Sequence, residues 1–198
     1  MNNFNNLNID KDMITNLSSL GFSKMTEIQE KSLPLILDGE DVIAKAKTGS
    51  GKTVSFGLGV LNNLKSERFR IQAMILCPTR ELASQVALTL KNLARYKHNI
   101  KILTLTGGVP YKPQVHSLSH KAHIIVGTPG RILKHLKEDS FSCDDINTLV
   151  LDEADRMLDM GFSEDILEII DYLPKLRQSM LFSATYPVTI EDMSSSIL

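Results

Sequence analysis

Six apolar runs of strand length punctuate the chain, at Asp41–Ala46, Ala73–Cys77, Ile100–Thr106, His123–Val126, Thr148–Leu151 and Ser179–Phe182. The stretches between them carry helical spacing instead. Leu82, Val86, Leu90 and Leu93 share one face, as do Ile166, Ile169, Ile170 and Leu173 at i, i+3, i+4 and i+7. Ahead of the first strand, Asp12 to Leu20 reads as a short helix ending at Gly21, and Glu27 to Leu37 as a second, interrupted by Pro34. Strands that are apolar on both faces and alternate with amphipathic helices predict an α/β fold: a mostly parallel sheet with helices on both faces.

Sheets of that kind bind ligands at the carboxyl ends of their strands. Polar clusters should therefore follow the strands, and they do. In order they are Ala46–Thr53, Pro78–Ala83, Gly107-Gly108, Thr128–Arg131, Asp152–Asp155 and Ser183–Thr185. Any one of them could be a turn or a helix cap. Six clusters at six strand ends converge on one edge of the sheet.

The first cluster, Ala46-Lys47-Thr48-Gly49-Ser50-Gly51-Lys52-Thr53, lies between a strand and a helix with Val54, Leu58 and Leu61 on one face. Gly49 and Gly51 let the backbone curl so that successive N–H groups point at phosphate oxygens. A helix starting near Gly51 adds its dipole and unpaired N–H groups at the same spot. Lys52 then reaches the terminal phosphates, and the Thr53 hydroxyl is placed to ligate Mg²⁺. The generic pattern G-x-x-x-x-G-K-[ST] asks for Gly where this chain has Ala46; the bland alternative is a Gly/Ser turn with a solvated lysine.

Asp152 and Glu153 end an apolar strand directly. An acidic helix start explains one carboxylate there, not two at a strand end. Asp152 is suited to hold Mg²⁺ through water and Glu153 to orient and deprotonate the attacking water. With Lys52 and Thr53 they would supply the positioning and charge neutralisation that phosphoryl transfer needs.

Composition narrows the class only modestly. With 198 residues, 42% hydrophobic and 23% charged, the chain is ordinary globular material for one domain. A net charge of −1 requires any nucleic-acid contact to be local. Cys77 and Cys143 stand far apart without metal-ligand spacing, which points to reduced thiols, Cys77 a core residue at a strand end. The polar Met-Asn-Asn-Phe-Asn-Asn opening lacks signal-peptide regions, and no apolar run approaches the ~20 residues of a membrane span. The expectation is a cytoplasmic protein without membrane contact, and a monomer.

Taken in order and at this spacing, Ala46–Thr53, Pro78–Ala83, Thr128–Arg131, Asp152-Glu153-Ala154-Asp155 and Ser183-Ala184-Thr185 resemble the amino-terminal RecA-like domain of DEAD-box ATP-dependent RNA helicases. The similarity covers nearly all of residues 1–198, and the family's phosphate loop normally begins with Ala. It implies a three-layer P-loop NTPase domain, with ATP and Mg²⁺ as cofactors and RNA as partner. It also implies cofactor-binding roles for Ala46, Thr48, Gly49, Ser50, Gly51, Lys52 and Thr53. Gly21 to Gln29 is similar to the family's adenine-recognition segment, which adds Phe22, Thr26 and Gln29. The Gln29 amide would pair with adenine N6 and N7. Phe4 either stacks on the base or anchors the amino-terminal arm in the core. Met25 and Lys47 depart from the family's usual Pro and Gln.

For RNA, the resemblance points to Pro78, Thr79, Arg80, Gly108, Thr128, Gly130 and Arg131. Hydroxyls, backbone N–H groups and Arg forks recognise sugar-phosphate without reading bases, so binding would be sequence-independent. Arg80 beside Glu81 could instead be a surface ion pair. Ser183 and Thr185 would hydrogen-bond Asp155 and link the nucleotide site to RNA remodelling. Lys47, Met25-Thr26 and Lys101–Gly108 are most similar to the bacterial DbpA-like branch, which is associated with ribosomal RNA through a separate carboxyl-terminal domain.

The family also requires a second RecA-like domain bringing arginines to the γ-phosphate, and nothing after Thr185 contains it. The expectation is one half of an enzyme that binds ATP or ADP and does not unwind RNA alone. A DNA-directed helicase or translocase, and a non-catalytic nucleotide-gated module, are the other classes compatible with these motifs.

Overall fold

The computed structural model describes residues 3–185; the expected span of 1–198 runs past them at both ends. Among the described residues, six strands form one sheet: β1 (Val42–Lys45), β2 (Ala73–Leu76), β3 (Ile102–Leu105), β4 (Ile124–Gly127), β5 (Thr148–Asp152) and β6 (Gln178–Ser183). Their order is β1-β6-β5-β2-β4-β3, and every pairing is parallel. Each strand lies within two residues of its predicted bounds.

Alternation along the strands sends side chains to two separate cores. Val42, Ala44, Ala73, Ile75, Val126, Val150 and Phe182 pack on one face with residues of α1 (Lys11–Ser19), α2 (Glu27–Leu37), α3 (Lys52–Asn63) and α4 (Arg80–Leu93). Met74, Leu76, Ile125, Leu149, Leu151 and Leu181 pack on the other. There they meet residues of α5 (Tyr111–Ser119), α6 (Pro129–Lys137), α7 (Ala154–Asp159) and α8 (Ser163–Asp171). The result is the expected three-layer, RecA-like arrangement. Only the edge strands β1 and β3 depart from two-sided burial, with Ile43, Lys45 and Thr104 exposed.

Two helices differ from expectation. Pro34 does not interrupt α2, which runs on to Leu37, and the Asp38 amide closes back on the Pro34 carbonyl at 3.1 Å. A proline inside a helix costs about 3 kcal/mol. Leu33 and Ile36, both 0% exposed, each contribute about 2 kcal/mol by full burial, so packing outweighs the break. Helix α3 does not bury one face alone: Val54 to Leu61 are all buried, because the helix is wedged between α2, α4 and the sheet. Gly59 makes the approach to α2 possible, since a Cβ there would lie 2.1 Å from Ile36 Cγ2.

Candidate functional site

Strand order sorts the six polar clusters into two neighbouring groups. At the β1-β6-β5 side lie the glycine-rich loop, Ser183–Thr185 and Asp152–Asp155; at the β2-β4-β3 side lie Pro78–Arg80, Thr128–Arg131 and Gly107-Gly108. Adjacent β5 and β2 join the groups.

In the loop, the Ala46 amide donates to the Ser183 carbonyl at 2.8 Å, and both the Ser50 amide (3.3 Å) and hydroxyl (2.7 Å) close on the Lys47 carbonyl. Gly49 (φ 80°) and Gly51 (φ 98°) occupy left-handed backbone, where an L side chain is strained. Gly51 precedes α3 and supplies no side-chain cap, so the first N–H groups of the helix are open to an anion. A cleft of about 490 Å³ adjoins the loop, lined by Thr26, Ile28, Ala46, Lys47, Gly49 and Ser50 among others. Its size suits a nucleotide-scale ligand. Thr48 is exposed and Thr53 half-buried.

Lys52 and Asp152, a hundred positions apart, meet across the site at 3.7 Å, their side chains 5% and 3% exposed. That separation is an ion pair, too long for a hydrogen bond, and neither Lys52 Nζ nor Asp152 Oδ1 has a hydrogen-bond partner. Buried charges left unsatisfied are expensive, which marks atoms prepared for something else. Burial pushes the Asp152 carboxyl up to about 6, with Lys52 pulling it down and Glu153 pushing it further up. Among the described residues no cluster of three or more His, Cys, Asp or Glu could hold a metal ion alone. A cation here would be shared between Thr53, Asp152 and phosphate oxygens, a hard-oxygen set that fits Mg²⁺.

Glu153 stands in left-handed backbone (φ 55°, ψ 52°) at the start of α7, uncommon for a residue with a side chain. One carboxylate oxygen accepts from the Thr48 hydroxyl at 3.0 Å, and the other lies 3.4 Å from Arg156 Nη1. Asp155 accepts from the Thr185 amide (2.9 Å) and hydroxyl (2.8 Å), while its own amide donates to Ser183 Oγ at 3.3 Å. Burial raises the Asp155 carboxyl, but the hydrogen bonds from Thr185, Arg156 and Ser183 outweigh it and hold it below its usual range.

One adenine-side expectation is corrected. Phe4 is 2% exposed and packs with the core of the first face, so its ring anchors the amino-terminal arm and offers no open stacking surface. Phe22, half-buried against the same core, keeps part of its ring accessible. The Gln29 amide is already engaged at both ends: its oxygen accepts the Thr26 amide at 2.9 Å and its nitrogen donates to the Gly51 carbonyl at 3.1 Å. It caps α2 and tethers the phosphate loop, and its second N–H and second oxygen lone pair remain for a base.

On the neighbouring side, Pro78 is buried and the Thr79 hydroxyl caps α4 by accepting the Leu82 amide at 3.2 Å. Arg80 is exposed and forms an ion pair with Glu81 (3.3 Å), while a Cβ on Gly108 would stand 3.2 Å from Arg80 Nη1. Gly130 is exposed, Thr128 half-buried, and Arg131 Nη1 donates to the Val109 carbonyl at 3.1 Å. Arg80, Gly108 and Arg131 thus come together. Gln114 and His135, buried beside Arg131, escaped sequence reasoning because a lone polar residue on a short helix carries no motif.

A glycine-rich loop closing onto a buried lysine–aspartate pair, on a parallel sheet with helices on both faces, defines a P-loop nucleoside-triphosphate-binding domain of RecA type. The chain belongs to the DEAD/DEAH box helicase family, whose model matches residues 26–193. It is 53% identical over its whole length to the ATP-dependent RNA helicase DbpA of Escherichia coli (strain K12). It is 42% identical over 98% of its length to the ATP-dependent RNA helicase DbpA of Bacillus subtilis (strain 168). A solved DEAD box protein from the hyperthermophile Methanococcus jannaschii superposes with a TM-score of 0.95 at 40% identity, covering all of this chain. The chain spans 43% and 40% of the two curated relatives and 54% of the solved one.

Proposed function

We propose that this chain is the ATP-binding half of an ATP-dependent RNA helicase, the first of two RecA-like domains. It binds ATP with Mg²⁺ and the RNA sugar-phosphate backbone. The observation that carries the reading is the buried Lys52–Asp152 pair, whose unpartnered atoms adjoin a loop and helix start open to anions. Lys52 and the loop N–H groups hold the phosphates, Thr53 and Asp152 hold the Mg²⁺, and Glu153 orients and deprotonates the attacking water. When bound, Mg²⁺ neutralises charge on the phosphate oxygens. Thr48 keeps the Glu153 carboxylate in place, and the bonds that link Asp155 with Ser183 and Thr185 carry the state of this site toward the RNA side.

Arg80, Gly108, Thr128, Gly130 and Arg131 contact phosphate and ribose, which makes binding independent of sequence. Pro78 and Thr79 act by shaping the start of α4. Hydrolysis and duplex remodelling need a second RecA-like domain in cis. The same proposal includes a cytoplasmic monomer acting on ribosomal RNA. It is tested by titrating a fluorescent ATP analogue with Mg²⁺, and by following ATP turnover with RNA or DNA in a chain carrying both domains. Glu153→Gln should keep nucleotide and RNA binding and stop turnover, whereas Lys52→Ala should lose nucleotide affinity. Unchanged turnover in both variants overturns the enzymatic reading, and equal stimulation by DNA overturns the RNA assignment.

A further inference from the structure

The Arg131 guanidinium is held from behind. Its Nη1 donates to the Val109 carbonyl and to Gln114 Oε1, each at 3.1 Å. The same Gln114 oxygen lies 2.9 Å from His135 Nε2, and the Gln114 amide nitrogen donates to the Thr106 carbonyl at 3.0 Å. Because Arg131 can only donate, the Gln114 atom facing it is the oxygen, and His135 Nε2 must carry a proton and donate as well. One buried amide thereby ties the end of β3, the body of α5 and the start of α6 together. His135 is 0% exposed and stacks on Tyr111 with ring centroids 4.3 Å apart, and the Tyr111 hydroxyl pairs with Ser140 Oγ at 2.7 Å. Both inward bonds of Arg131 use Nη1, which leaves Nη2 and Nε for an anion.

We propose that Gln114 is a positioning residue for RNA-backbone binding: it fixes the Arg131 fork and the Gly107–Val109 turn as one preformed cradle for a phosphate. This rests on the RNA reading of Arg131 and Gly108 given above. An unanchored arginine must be ordered at the moment of binding, whereas a preformed one has been ordered by folding. Gln114 itself touches no ligand. Its role is to remove that ordering cost and to hold the turn and the guanidinium in one register.

The test uses this chain and a short fluorescein-labelled oligouridylate at low salt, read by anisotropy, with Arg131→Ala, Gln114→Leu and the double variant. Arg131→Ala should weaken binding and reduce the salt slope by about one phosphate contact. Gln114→Leu should weaken binding roughly three- to tenfold, and should add nothing in the Arg131→Ala background. In NMR spectra the Arg131 Nε–H signal should be distinct in the parent chain and averaged with other arginines in Gln114→Leu. Gln114→Glu keeps the acceptor for Arg131 but offsets its charge, so it should retain the Nε–H signal while losing affinity and salt slope. That variant also serves if Gln114→Leu fails to fold.

Wild-type affinity in folded Gln114→Leu or in Gln114→Glu overturns the inference, as does an equal loss with and without Arg131. An Arg131→Ala chain with parental affinity, or a parent chain without measurable affinity, overturns the RNA reading itself.

Discussion

The buried Asp152 carboxyl should contribute stability to the ligand-free chain that is lost as pH rises through the mildly acidic range, and Asp152→Asn should remove that contribution. Burial lifts the folded-state carboxyl from 3.8 to about 6. The folded chain therefore holds this proton more tightly than the unfolded chain does. The stability it confers is fully present below the unfolded value and is lost as pH rises toward and through the folded one. A lift of about two units corresponds to about 3 kcal/mol in full. Between about pH 5 and about pH 7.5, where both proteins are manageable, the wild type should lose about 1.4 kcal/mol relative to Asp152→Asn. The substitution leaves Lys52 without its partner at both pH values, an offset that cancels in the comparison. Urea unfolding in EDTA without nucleotide measures the quantity directly. If the stability difference between the two proteins stays constant across that interval, the carboxyl does not titrate there and the account of its burial is wrong.

Two other perturbations probe the loop and the contacts of Asp155 with Ser183 and Thr185. Gly51→Ala should abolish binding of a fluorescent ATP analogue and lower stability by about 1 kcal/mol or more. The new Cβ would have to adopt φ 98° while standing 2.5 Å from Gln29 Nε2, and parental affinity would refute this. Thr185→Val removes the hydroxyl bond to Asp155 but keeps the amide bond. It should leave nucleotide affinity unchanged and reduce RNA-stimulated turnover in a chain carrying both domains, as a steady-state ATPase assay would reveal.

The parallel sheet, its strand positions and the convergence of six polar clusters were all legible in the residue pattern. Strand order was not. When β2, β4, β5 and β6 are each buried throughout, alternation carries no information on which neighbour each one chooses. That Lys52 and Asp152 face one site followed from the motifs, because a phosphate site needs both; their direct ion pair did not. The engagement of Gln29 at both ends did not: a side-chain amide that caps a helix and one that awaits a ligand look identical in sequence. Phe4 was ambiguous for a related reason, since an aromatic near a terminus suits a core or a stacking surface equally, and only its 2% exposure decides. Pro34 misled because the local rule was read without the burial that overrides it. Gln114 and His135 were invisible because their meaning lies in contacts between elements far apart in the chain.

The short bond from the Ala46 amide to the Ser183 carbonyl has a mechanical corollary. The first peptide of the glycine-rich turn hangs from the last peptide of β6, and the next two residues of that strand's exit lead directly to the Thr185 clasp on Asp155. The anchor of the turn and the clasp on Asp155 are thus separated by only two residues of backbone.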